Sequence, residues 1–186
     1  MFGQRGNCPG FGGDEILEFT SLPALETLCI SQSYTETGDD LVGLLNRSSA
    51  PLLELVLEAP SHFVPLVRCL RLTPDLMRFE VRSEWPVMEG LLAALADSPS
   101  LLPHLNTLVV HLDISISKSD FPWASLSHAL SGRCTIFRVF QLEVPRRLPA
   151  SQMPPTDVIA TFRALAVDGT QVRISATLES WDHIFR

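Results

Sequence analysis

The sequence predicts an α/β fold: an irregular solenoid with a curved, mostly parallel sheet and one layer of helices. Three observations carry this. Short apolar segments with strand-like spacing alternate with stretches of about ten residues with helical spacing. The short segments share one pattern, apolar at the first, fourth and sixth positions. The pattern returns after 27, 24, 29 and 32 residues, mostly below the roughly 30 or more residues of a doubly wound β-α-β unit.

The first strand segment is Leu25-x-x-Leu28-x-Ile30. Leu52-x-x-Leu55-x-Leu57, Leu76-x-x-Phe79-x-Val81 and Leu105-x-x-Leu108-x-Val110 follow it. Phe137-x-x-Phe140-x-Leu142 is a fifth, although Ile136 and Val139 offer a competing register, and a weaker sixth ends in Val172-x-Ile174. Alternate side chains of a strand share one face, so the last two apolar residues of each copy point inward. The first, three residues earlier, fills the turn entering the strand. This is the spacing of the leucine-rich repeat. One such strand cannot bury its apolar face alone, but stacked neighbours can.

The intervening stretches read as amphipathic helices, apolar at steps of three and four. Asp39 or Asp40 can cap a helix through Leu41, Val42, Leu44 and Leu45. Ser61 can cap one through Val64, Leu66, Val67 and Leu70, with Pro65 in or near its first turn. Pro86 suits the first turn of a helix through Met88, Leu91, Leu92 and Leu95. Pro122 does the same for Trp123, Leu126 and Leu130, which Gly132 ends. Thr156 can cap Val158, Ile159, Phe162 and Leu165, and Asp168-Gly169 stops that helix. The proline-rich stretch after Leu142 is a long surface loop.

The 186 residues suit one domain with its own core. Residues 1–14 read as a flexible Gly-rich tail, and residues 15–186 as the solenoid domain. A net charge of −7 and the lack of any Lys/Arg cluster argue against nucleic-acid binding. No apolar run is long enough to span a membrane, and no signal peptide is read at the N-terminus. The four cysteines lack zinc-knuckle or C-x-x-C spacing and read as free thiols, which points to the cytoplasm or nucleus.

Several phrases carry a family resemblance. They are Leu22-Pro23-Ala24-Leu25-Glu26-Thr27-Leu28, Leu70-Arg71-Leu72-Thr73-Pro74-Asp75-Leu76 and Leu102-Pro103-His104-Leu105-Asn106-Thr107-Leu108. The closing stretch Leu165-Ala166-Val167-Asp168-Gly169-Thr170-Gln171-Val172-Arg173-Ile174 joins them. Together, over roughly residues 15–176, they resemble the leucine-rich-repeat region of fungal F-box-like proteins. That resemblance implies a substrate-recognition region of a ubiquitin ligase, in which a preceding F-box docks on the ligase adaptor. No F-box is read before the first repeat, so the adaptor is expected as a partner only if an F-box lies upstream. The Asn that usually follows the strand is also missing, with Ser33, Pro60, Glu84 and Asp113 at its offset.

No catalytic constellation, cofactor fingerprint or metal-ligand spacing emerges. There is no G-x-S-x-G elbow, P-loop or G-x-G-x-x-G pattern. His111-x-Asp113 places a His and a carboxylate on one face past a strand, without a visible nucleophile. Trp123 reads as a core residue, and Trp181 with Ile184 and Phe185 as a cover for the C-terminal end.

What the solenoid would offer is its open sheet face, lined by the residues that alternate with the inward leucines. Glu54, Glu58, Arg78, Glu80, Arg82 and His111 fall there, and Trp85 and Asp113 lie just past strand ends. These eight are the expected partner-binding residues. Cross-strand pairs such as Glu54–Arg78 would balance the charges. The expected function is therefore protein binding, to an unidentified protein on the concave face, and not catalysis. The alternatives are a compact α/β enzyme, drawing on Ser31, Ser33, Ser83, Glu84, Asp113 and Ser115 at strand ends, or a decayed fragment without activity.

Overall fold

The computed structural model describes residues 20–30, 39–58, 60, 63–112, 123–133, 137–144, 153–176 and 179–180. Among them strands and helices alternate: β1 (Thr27–Ile30), α1 (Asp39–Ser48), β2 (Glu54–Glu58), α2 (Phe63–Arg71), β3 (Arg78–Ser83), α3 (Trp85–Asp97), β4 (Thr107–Leu112), α4 (Trp123–Ser131), β5 (Val139–Val144), α5 (Thr156–Val167), β6 (Gln171–Ala176) and β7 (Glu179–Ser180). The strands form one open sheet in chain order, β1 to β7. The first six run parallel, and β7 closes on β6 antiparallel. This is an α/β fold of the expected solenoid-like order, because each strand pairs with the next in sequence and no strand is skipped.

The apolar spacing decides which way each strand faces. Leu55, Leu57, Phe79, Val81, Leu108, Val110, Phe140, Leu142 and Ile174 are all buried, as are Leu52, Leu76, Leu105 and Phe137 in the entering turns. The helices cover this face with Leu66, Leu70, Met88, Leu91, Leu95, Leu126, Leu130, Val158, Phe162 and Leu165 in one continuous core. Each such side chain contributes roughly 1.5–3 kcal/mol by leaving water. Phe162 of α5 joins two neighbours, edge-on to Trp123 at 6.4 Å and stacked on Phe140 at 6.3 Å. Among the described residues the opposite sheet face carries no helix layer, and its side chains alternate with the buried set at intermediate exposure. The fifth register falls to Phe140 and Leu142 inward, leaving Val139, Gln141 and Glu143 outward.

Backbone hydrogen bonds stitch one strand entrance to the next. The carbonyls of Glu26, Leu53, Met77 and Asn106 each accept two N–H groups from the following repeat, at 2.8–3.0 Å. A carbonyl has two lone pairs, so each column position is fully used. Three entrances share a tight turn with proline second. The N–H of Leu25, Leu76 and Leu105 donates to the carbonyl of Leu22, Thr73 and Leu102, at 3.1, 3.2 and 3.2 Å. Proline fixes the φ that this turn position needs.

Two capping expectations change. Asp39 is the first residue of α1, not the residue before it, and it pairs with Arg68 at 2.8 Å in a solvent-exposed contact. Thr156 likewise opens α5, and Pro155 takes the cap position without a side-chain bond. A proline there has no N–H of its own to satisfy, so the loop can end directly in the helix. At the other end of α5, Gly169 adopts φ +94° and the helix stops as expected. The Gly-rich segment 1–14, Ser61, Pro122 and Trp181 lie outside the described residues. No helix among the described residues is long and apolar enough to cross a membrane.

The open sheet face as a candidate interface

Parallel pairing in register turns the outward residues into straight rows. One row runs Thr27, Glu54, Arg78, Thr107, Val139, Gln171. The next runs Cys29, Val56, Glu80, Val109, Gln141, Arg173. A third runs Glu58, Arg82, His111, Glu143, Ser175. A parallel sheet with one uncovered face thus displays side chains from strands far apart in sequence on one grid.

An unbroken chain of polar contacts between ionisable side chains crosses this grid from β2 to β5. Arg78 Nε lies 2.8 Å from Glu54 Oε1, and Arg78 Nη2 donates to Glu80 Oε2 at 2.8 Å. Glu80 Oε1 lies 3.0 Å from His111 Nε2, and His111 Nδ1 lies 2.6 Å from Glu143 Oε2. The Arg78–Glu54 contact is close but off the N–H axis, since Nε makes no well-aligned hydrogen bond. It acts as a charge contact, whereas the Nη2–Glu80 contact is a directed bond. The pairing of Glu54 with Arg78 is the one the strand alternation anticipates.

Glu80 is the hub. The hydrogen bond from His111, helped by Arg78, outweighs the burial that opposes ionisation and holds its carboxyl well below the usual range, at about 2. Isolated exposed ion pairs contribute little. Here the side chains of Glu80, His111 and Glu143 keep only 26%, 13% and 26% of their exposure, so the contacts are less screened than on an open surface.

The structure brings Glu54, Arg78, Glu80 and His111 together, and adds Glu143. Glu58 and Arg82 stand in register beside this chain on the third row, with no ion pair between them. Trp85 opens α3 directly after β3, but its side chain lies outside the described residues, as does Asp113. Val109, on the open face by register, is 5% exposed; it is flanked by Glu80 and Gln141, whose long stems can shield it.

Of the strand-end residues an enzyme would use, Ser83 and Glu84 are described. Ser83 is buried, and its hydroxyl donates to the Pro60 carbonyl at 3.2 Å, a link between the end of β3 and a residue just past β2. Among the described residues no group of His, Cys, Asp and Glu is arranged to hold a metal ion.

Sequence reasoning passed over Arg133. It is 2% exposed, yet its guanidinium donates to the carbonyls of Leu95, Ser98, Leu101 and Leu102. The four acceptors close the end of α3 and the turn leading into β4, where Leu102 takes φ +55°. A lone Arg after Gly132 looks like surface sequence, and nothing local marks it as buried. Comparison with protein-family models, curated proteins and solved structures finds no match to the chain.

Proposed function

We propose that the chain is a protein–protein interaction module of the leucine-rich-repeat kind, which binds a partner protein across its open sheet face. The observation that carries this reading is the uncovered row of charged residues from Glu54 to Glu143, held in register across four strands while the other sheet face is packed under helices. Helices on both faces would leave no such surface. Solenoids that stack repeats in this way commonly bind through the exposed sheet.

With the repeat phrases of the sequence, the reading extends to a substrate-recognition region of an F-box-type protein. Its partner would be a protein with its own charges set against Arg82 and the Glu80 hub. The ligase adaptor enters only through an F-box upstream of the repeats. The cytoplasm or nucleus is the compartment proposed with it.

A photo-crosslinking side chain at Val56 or Gln141, on the open face, tests this in cells. The same side chain at Val64 or Val167, two exposed residues of the helix layer, is the control. The expected result is one adduct of the same mass from both open-face positions and none from the controls, abolished by Arg82→Glu. Adducts from the helix positions alone, or from none, would reject the reading.

A further inference from the structure

We propose that His111 is a proton-dependent tie between β3 and β5, whose deprotonation releases a carboxylate contact on the open face. The argument is geometric. The two ring nitrogens face two different carboxylates, Nε2 toward Glu80 at 3.0 Å and Nδ1 toward Glu143 at 2.6 Å. A neutral imidazole has one N–H and one lone pair, whereas the doubly protonated ring has two donors. Only the doubly protonated ring can donate to both carboxylates at once. In the neutral ring one nitrogen presents its lone pair to a carboxylate oxygen, and that contact becomes repulsive.

The surroundings decide which contact is lost. Glu80 keeps a second donor, Arg78 Nη2 at 2.8 Å. Glu143 has His111 as its hydrogen-bond partner among the described residues. The neutral ring therefore keeps its proton on Nδ1, facing Glu143, and the contact to Glu80 is the one given up. Among the described residues, the other charged residue in register with His111 on a neighbouring strand is Arg82, on β3. Arg82 is in register with Glu58 in turn. Loss of the proton thus frees one oxygen of Glu80 on the open face and removes one positive charge from the row.

The tie is a property of the free chain. What it regulates rests on the face being an interface, so the test uses the protein alone. Ring ¹⁵N resonances of His111 and the backbone amides are followed by NMR between about pH 5 and about pH 9, spanning the ordinary imidazole range. The expected result is a single transition in which the amides of Glu80, Arg82 and Glu143 move with the ring, and the neutral form carries its proton on Nδ1. Glu143→Gln, which preserves shape and removes the charge, should move the transition to lower pH, because one of the two carboxylates facing the ring is lost. An unmoved transition in that variant, still amides on β3 and β5, or a neutral proton on Nε2 would each overturn the proposal. Amide dispersion in the same spectra shows whether the variant is folded, and Glu80→Gln, expected to shift the transition the same way, is the second variant. A failed crosslinking experiment would leave these results standing.

Discussion

Arg133 Nε donates to the carbonyl oxygen of Leu95 at 2.8 Å, from a residue 38 positions later in the chain. The last turns of a helix leave carbonyls without partners and carry negative potential. One guanidinium satisfies such an acceptor in α3 and three more in the turn that follows. Burial lowers its proton affinity, yet a guanidinium stays charged in proteins. The positive charge is thus set against carbonyl dipoles instead of a carboxylate. Arg133→Ala should cost at least about 3 kcal/mol, since each buried acceptor left unsatisfied costs about 1–3 kcal/mol. Arg133→Lys should recover less than half of that, because an ammonium cannot fork to four carbonyls. Urea unfolding midpoints read both, and two variants within about 0.5 kcal/mol of the wild type would contradict the bonding role.

Acid should weaken the β2–β5 row through Glu80. Its carboxyl is held at about 2 in the folded chain, below its ordinary value of 4.5. A depressed folded-state value means that the carboxylate adds stability that is present above about pH 4.5 while His111 donates to it, and is lost as pH falls toward about 2. Comparing the urea midpoint of the wild type with that of Glu80→Gln at several pH values isolates this term. The wild type should lead at mildly acidic pH, and the gap should shrink steadily below about pH 4.5. A constant gap would show that the ionised carboxylate is not the source.

The thiol of Cys69 should be inert in the folded chain. It is 1% exposed on α2, and burial pushes its pKa up to about 12, against the smaller pull of Arg68. The thiolate is the reactive form, so alkylation by iodoacetamide near neutral pH should wait for unfolding. Peptide mapping after timed labelling, with and without urea, measures this. Equal rates in the two conditions would contradict the burial.

Gly169 should be replaceable only at a conformational cost. Its N–H donates to Ala166 at 3.2 Å and that of Thr170 donates to Leu165 at 3.0 Å, the paired bonds of a left-handed helix stop. A Cβ there would meet nothing within 4 Å, so the φ of +94° is the whole constraint. Gly169→Ala should cost about 1–2 kcal/mol. Gly169→Asn should cost less, because Asn tolerates left-handed backbone better than other side chains. Thermal unfolding of the two variants gives the order, and an Ala variant as stable as the wild type would remove the backbone argument.

The legible parts are those set by local spacing. Leu52, Leu55 and Leu57 are placed inward by their own positions, and so are Leu76, Phe79 and Val81. The stop at Asp168-Gly169 depends only on a backbone region that glycine enters freely. Even the Glu54–Arg78 contact follows from alternation once the two strands are aligned by their leucines. The fifth strand is different. Phe137 and Phe140 compete there with Ile136 and Val139 as inward sets, both apolar, and only the packing of Phe140 on Phe162 selects between them.

Local spacing sets the order of strands and helices, the inward face of most strands, and the outward position of Glu54, Arg78, Glu80 and His111. Period-two and period-3.6 patterns are local, and water enforces them wherever an apolar face must be buried. Long-range packing brings His111 to Glu143, 32 residues on, ties Ser83 to Pro60, and buries Arg133 under the end of α3. Each of these joins residues that are remote in sequence. Their contacts depend on side-chain reach and on which neighbour occupies the next row, and neither quantity is written in the spacing of a single segment.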